Sequence, residues 1–155
     1  MIRRAEIKDT EAIEELLLEV LAVHNAGRPD IFKPVGQKYT RDELESIILD
    51  DNNPVFVFED QNGKVLGHCF CQMHEKSEGP ATYASKTLYI DDLCVGQNTR
   101  GMGVGKALYD FVKQFAKDNG CSSVTLHAWE CNPNAVSFYR HLGMKVQQYT
   151  MEEIL

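Results

Sequence analysis

The sequence predicts a single mixed α+β domain over residues 1–155, in the order β-α-α-β-β-β-α-β-α-β, with a central, mostly antiparallel twisted sheet flanked by helices. Three observations carry that prediction. Strand-like runs between Val55 and Val95 follow one another through turn residues, which makes an antiparallel meander. After Gly96 the apolar period becomes helical, at Val104, Ala107, Leu108, Phe111, Val112 and Phe115. Residues 122–128 return to a strand pattern, so 88–128 reads as a right-handed parallel crossover inside a mixed sheet. A chain of 155 residues can bury one core, and it shows no repeat, linker or low-complexity segment.

Residues 2–6 open as a short strand. The next helix is capped by Asp9 or Thr10, with apolar residues at 13, 16, 17, 20 and 21 on one face and Glu11, Glu14, Glu15 and Glu19 elsewhere. Residues 24–39 hold Gly27, Pro29, Pro34 and Gly36, too many breakers for a regular element. They also hold Ile31, Phe32 and Tyr39, and so predict an ordered loop over an apolar surface. Thr40-Arg41-Asp42-Glu43 is a capping box that opens a short helix through Leu44, Ile47 and Ile48, ended by Pro54. Val55-Phe56-Val57-Phe58 is a buried strand, and Asp60-Gln61-Asn62-Gly63 turns it into a strand over 64–74. Glu78-Gly79-Pro80 makes the next hairpin into 82–95, and Asn119-Gly120 closes the long helix. Asn132-Pro133 starts a helix with proline at its first position, which carries Ala135, Val136, Phe138, Tyr139 and Leu142 and is stopped by Gly143. Residues 145–150 begin a final strand pair, with one more strand over 149–155.

Sixteen Lys and Arg against 23 Asp and Glu give a net charge of −7, unevenly spread. Residues 1–60 carry 14 acidic and 7 basic side chains, whereas 61–155 carry 9 of each. Neither part has the basic surplus that phosphate neutralisation requires, which argues against nucleic acid as a partner. No apolar run approaches the roughly 20 residues that span a bilayer. Met1-Ile2-Arg3-Arg4 leads into an acidic amphipathic stretch and not a signal core, so a cytoplasmic protein with no membrane partner is expected. Five cysteines, at 69, 71, 94, 121 and 131, are an odd number in a chain that needs no disulfide framework, and are read as reduced thiols. Cys69, Cys71 and His74 do not make a metal site, because strand alternation puts both cysteines on one face and His74 on the other. No metal is expected.

Between the meander and the long helix runs Gln97-Asn98-Thr99-Arg100-Gly101-Met102-Gly103-Val104-Gly105-Lys106. Alternate glycines let a backbone turn its N–H groups outward, and a helix start adds unpaired donors and a positive dipole end. The loop therefore favours an anion such as a pyrophosphate. It is not a P-loop, since Arg100 and Ala107 stand where Gly and a magnesium-binding hydroxyl are required. It is not a dinucleotide fingerprint either, since Lys106 replaces the third Gly and a meander precedes it.

Arg100-Gly-Met-Gly103-Val-Gly105 resembles the Arg-x-x-Gly-x-Gly signature of the GNAT superfamily of acyl-CoA-dependent N-acyltransferases. A second block, Asn132-Pro-Asn-Ala135-Val-Ser-Phe138-Tyr139-Arg-His-Leu142-Gly143-Met144, resembles that family's Asn-x-x-Ala-x-x-Phe-Tyr-x-x-x-Gly-Phe segment, with Met144 as a conservative departure. Element order matches as well, so the resemblance spans the whole chain and implies a GNAT-like fold. It implies that the backbone of Arg100, Gly101, Met102, Gly103, Val104, Gly105 and Lys106 cradles the pyrophosphate of acetyl-CoA, with Arg100 and Lys106 adding charge. It further implies that Leu93, Cys94 and Val95 splay from the strand at 122–128 to pair with the pantetheine amides, like a strand added at an open edge, and that Asn132 bonds the pantetheine arm. Asn132 is equally suited to be an N-cap.

Acyl transfer to an amine needs a neutral amine, a stabilised oxyanion and a proton for the departing thiolate. A primary alkylamine is mostly protonated at neutral pH, so a base must take its proton. Asp91 and Asp92 are the candidate bases. Alternation puts them on opposite faces, so one at most points into the site. The segment resembles the Leu-Glu-Asp of polyamine acetyltransferases, which favours Asp91, with Asp92 second. Tyr139 matches the family tyrosine that protonates the thiolate, and a phenol of pKa about 10 suits that step. The oxyanion donor would be a backbone N–H near Val95. Cys94 is read as lining and not as a covalent nucleophile, because no motif supplies a base for it. His127 and Trp129 either reach the acceptor cleft or simply pack.

The expected function is transfer of an acetyl group from acetyl-CoA to a primary amine by direct attack in a ternary complex. The first helices and the 24–39 loop form an acceptor wall in the superfamily, and here they hold the acidic surplus. That favours a cationic small molecule such as a polyamine or basic amino acid. The alternatives are a non-catalytic acyl-CoA-sensing module, and acetylation of a protein N-terminus or lysine. Homodimers, often through the C-terminal strands, recur in the superfamily, and the resemblance leaves one open here.

Overall fold

Turn chemistry produces the meander that the sequence predicts. In the computed structural model, which describes residues 1–155, β1 is Ile2–Arg4, α1 Thr10–Gly27, α2 Arg41–Ile48, β2 Val55–Glu59 and β3 Val65–Lys76. There follow β4 Ser85–Val95, α3 Val104–Asp118, β5 Ser123–Leu126 and α4 Pro133–His141. The five strands lie in one sheet in sequence order, antiparallel from β1 to β4, while β4 and β5 are parallel across the α3 crossover. The Asp60 carboxylate accepts from the N–H groups of Asn62 and Lys64 and so holds the β2–β3 turn.

The sheet is covered on both faces. Ile13 and Leu17 of α1 and Leu44 and Ile48 of α2 pack on Val55, Val57 and Phe70. On the other face Val104, Leu108, Val112 and Ala116 of α3 pack on Phe56, Cys69, Cys71, Leu88 and Ile90. The alternation Val55, Phe56, Val57 is split between the two clusters, as a doubly covered strand requires. All five cysteines are free thiols. No helix is long and apolar enough to cross a membrane.

Three local expectations are corrected. Neither Asp9 nor Thr10 caps α1 with its side chain. The Asp9 carboxylate is taken by the Arg3 guanidinium at 2.6 and 2.9 Å and by the Glu6 N–H, and Thr10 donates back to Ile7 O from a 3-10 turn that leads into the helix. Residues 24–27, assigned to the loop, belong to α1. Gly27 is there for close approach, since a Cβ would sit 2.7 Å from Cys131 Cβ. The final strands over 145–150 and 149–155 do not form, and those residues are irregular. Val146, Tyr149, Met151 and Ile154 recur at intervals of 3, 2 and 3, which gives no constant inner face, and all four are exposed.

The loop between α1 and α2 does lie on aromatic surface. Phe32 packs edge-on to Trp129 at 5.2 Å and against His24, and Tyr39 stacks on Phe70. Trp129 thus packs on Phe32 while remaining 40% exposed, and His127 Nδ1 lies 3.3 Å from Tyr89 OH.

Candidate active site

Asp91 and Asp92 do not follow simple alternation. The β3–β4 register shifts between Phe70 and Cys71: Cys71 faces Ile90, whereas Phe70 faces Asp92, so Asp91 is the extra residue of a β-bulge. Ile90 and its partner Cys71 pack on the α3 face, whereas Phe70 packs on the α1–α2 face. Asp92, opposite Phe70, therefore joins Asp91 on the α1–α2 side. Cys94, two residues on, holds the same side, with its Sγ 3.3 Å from Leu16 O of α1. The expectation that only one of the two carboxylates points into the site is overturned, because the bulge turns both to one place.

A primary ammonium sits between them. Lys38 Nζ lies 3.0 Å from Asp91 Oδ2 and 3.2 Å from Asp92 Oδ2, and Tyr39 OH donates to Asp91 Oδ2 at 3.1 Å. Behind Asp92 is His68, wholly buried, with Nε2 3.4 Å from Asp92 Oδ1 and Nδ1 without a partner. Burial works to raise the Asp92 carboxyl, but the His68 hydrogen bond and the nearby Lys38 ammonium outweigh it and hold Asp92 below the usual carboxylate value. Burial works to lower Lys38, and Asp92, then Tyr39 and Asp91, override it and hold the ammonium charged well above its ordinary range. Beside Asp91 a cleft of about 120 Å³ is lined by residues including Tyr39, Asp50, Asn53, Phe70 and Gln72.

The neighbouring elements supply donors. Gly101 and Gly103 have φ of +82° and +81°, which side chains other than hydrogen adopt only at a cost. Gly103 is the N-cap of α3 and supplies no capping side chain. The first backbone bond of the helix runs from Ala107 N–H to Gly103 O, which leaves the N–H groups of Val104, Gly105 and Lys106 without protein acceptors at a positive dipole end. Arg100 makes no ion pair, and Lys106 pairs with Asp110 one turn on. Met102 is an exposed loop tip. β4 and β5 pair only as far as Ile90 and Leu126, so from there to Val95 β4 is paired on its β3 side alone. Gly96 N–H bonds to Leu66 O on the β3 side, so strand alternation turns the backbone groups of Val95 and Leu93 to the open side.

Asn132 Oδ1 accepts from Ala135 N–H and caps α4, the simpler of the two roles considered for it. Tyr139 of α4 is held protonated far above the usual phenol value, first by burial and then by Cys69, Asp92, Cys94 and Tyr109 around it. Burial, with Asp92 and Glu19 nearby, pushes the Cys94 thiol up to about 12, which favours the protonated thiol at neutral pH.

A model of the acetyltransferase (GNAT) family matches residues 19–144. The chain belongs to the GNAT acetyltransferase family. Among relatives, thialysine N-epsilon-acetyltransferase of Sus scrofa is 32% identical over 65 residues, 42% of this chain and 38% of that protein. N-acetyltransferase 8B of Homo sapiens is 39% identical over 64 residues, 41% of this chain and 28% of that protein. The chain thus matches well under half the length of these curated relatives. In structure, a mutant of the BH1408 protein from Bacillus halodurans superposes with a TM-score of 0.96 at 28% identity, over 100% of this chain and 99% of that one. Glucosamine-6-phosphate N-acetyltransferase of Arabidopsis thaliana gives 0.72 at 24% identity over 99% and 97%, a likeness of fold.

Within this GNAT chain, sequence reasoning missed Lys38, Tyr39 and His68 as members of the site. Lys38 carries no motif, and it meets Asp91 across 53 residues of sequence. The one available signal for His68 was a histidine inside an apolar strand run.

Proposed function

We propose that the chain is an N-acetyltransferase that moves the acetyl group of acetyl-CoA to the primary amine of a small molecule, by direct attack in a ternary complex. The observation that carries this reading is that Asp91 and Asp92 together already bind a primary alkylammonium, that of Lys38. A site so built suits an acceptor amine that arrives protonated. Asp91, the more exposed of the two carboxylates and the one bonded by Tyr39, is the base that takes its proton, and Asp92 holds the charge beside it.

The donor half fits acetyl-CoA, which supplies an activated acetyl thioester. The free N–H groups at the start of α3, with the backbone of Arg100 to Gly103, would hold its pyrophosphate without much net positive charge. Leu93 and Val95 would bond the pantetheine amides, and the Val95 N–H would stabilise the oxyanion. Tyr139, kept protonated by its burial, would give its proton to the thiolate. Cys94 lines the site as a thiol. The names of the thialysine and glucosamine-6-phosphate acetyltransferases are consistent with amine acceptors for this fold.

Thiol release from acetyl-CoA over a panel of amines tests the reading. Amine-dependent release is expected, and its absence with every amine would overturn it.

A further inference from the structure

Resting on the assignment of Asp91 and Asp92 to the acceptor amine, we propose that Lys38 is a specificity-determining residue that selects acceptors bearing both an amine and a carboxylate, amino-acid zwitterions, over polyamines. Three features of the site lead there. The first is occupancy: the position suited to the acceptor ammonium is held by the Lys38 ammonium, so an acceptor must displace it. The second is charge. Two carboxylates and one ammonium leave a single net negative charge, enough for one incoming cation. The displaced Lys38, only 39% exposed at its side chain, is then left needing an anion. A carboxylate on the acceptor supplies it, and the flexible four-carbon stem of lysine allows the short movement required. A polyamine brings a second ammonium instead.

The third feature is the surroundings. Of the acidic surplus of residues 1–60, Glu11, Glu15, Asp42 and Glu43 stand exposed on α1 and α2 and Glu19 accepts from Gln97 N–H, while Glu14 lines a small cleft beside Lys38. The segment carrying Lys38, residues 28–40, has three cations, Arg28, Lys33 and Lys38, against one acid, Asp30. In the adjoining cleft the other carboxylate is Asp50, each of whose oxygens already accepts one hydrogen bond, from Asn52 N–H at 2.9 Å and from Asn53 Nδ2 at 2.8 Å. A second ammonium must there compete with bonds already made to Asp50, whereas a carboxylate finds Lys38. The inference narrows the cationic acceptor expected from charge distribution alone to one that also carries an anion.

Matched pairs that differ only in the carboxylate test it: lysine against cadaverine, and ornithine against putrescine. With the wild-type protein kcat/KM is expected to favour the amino acid by about tenfold, the scale of one charge-assisted contact. Lys38→Met, which keeps the apolar stem, should bring that ratio near one, by lowering the amino acid and raising the diamine. Lys38→Arg should retain the preference, and thermal unfolding of all three proteins separates specificity from folding. A ratio unmoved in Lys38→Met, a wild-type preference for the diamine, or acetylation confined to amines outside these pairs would overturn the inference while leaving the acetyltransferase reading intact. Failure to acetylate any amine overturns both.

Discussion

Gly105 and Phe138 are in direct contact: a Cβ added to Gly105 would lie 3.2 Å from Phe138 Cζ, with Val95 Cγ2 at 3.3 Å on its other side. The last glycine of the loop block and the phenylalanine of the Asn132–Tyr139 block thus meet where α3, α4 and the free end of β4 converge. The three glycines therefore do different things. Gly101 and Gly103 serve backbone conformation, whereas Gly105, inside α3, serves approach.

Gly105→Ala is expected to lower stability by about 1–2 kcal/mol through overpacking. Gly103→Ala, strained at positive φ, is expected to raise KM for acetyl-CoA more than it lowers the melting temperature. Thermal unfolding and acetyl-CoA titration of the two variants check the contrast. Equal effects of both on acetyl-CoA affinity would refute it.

Tyr139→Phe removes only the hydroxyl of a half-buried phenol. The turnover rate is expected to fall by about 100-fold, within the usual range for a general acid, with little change in KM for acetyl-CoA. Steady-state kinetics decide, and an unchanged kcat removes Tyr139 as the acid.

Asp91→Asn and Asp92→Asn should part company. Without the Asp91 base, rate depends on the free-amine fraction, so Asp91→Asn is expected to regain activity as pH rises toward the amine pKa of about 10. Asp92 is nearly buried and also faces His68, so Asp92→Asn is expected to lose stability as well as rate. A pH–rate profile with a melting curve for each variant tells them apart.

The Asp9–Arg3 pair gives a pH dependence of stability. Burial raises the Asp9 carboxyl, but the Arg3 hydrogen bond, with the Glu6 N–H and the charge of Arg3, leaves it depressed. A depressed folded-state pKa means that the contribution is complete above the unfolded value of about 4 and is lost as pH falls through the folded value. Asp9→Asn is therefore expected to cost about 2 kcal/mol at neutral pH, moderated because Glu59 still pairs with Arg3 at 2.7 Å. The deficit should shrink below about pH 4 in denaturant titrations. A deficit independent of pH would contradict the assignment.

The parts of this protein that rest on neighbours in the chain were legible in its sequence. The Thr40–Glu43 capping box, the Asp60–Gly63 turn, the helical period of α3, the Asn132 cap and the glycine loop each depend on residues within a few positions of one another. Joined to the family resemblance, they determined the fold class and pointed to the donor side proposed for the site. The tertiary structure alone brought together the carboxylate pair proposed as the acceptor side. A register shift opposite Phe70 and Cys71 turned Asp91 and Asp92 to one face, and a loop lysine and a strand histidine came to them across 53 and 24 residues. It also withheld the C-terminal strands, whose irregular apolar spacing fits no face of the sheet. Alternation is a local rule, and a bulge, which arises from pairing between strands, cancels it at one residue.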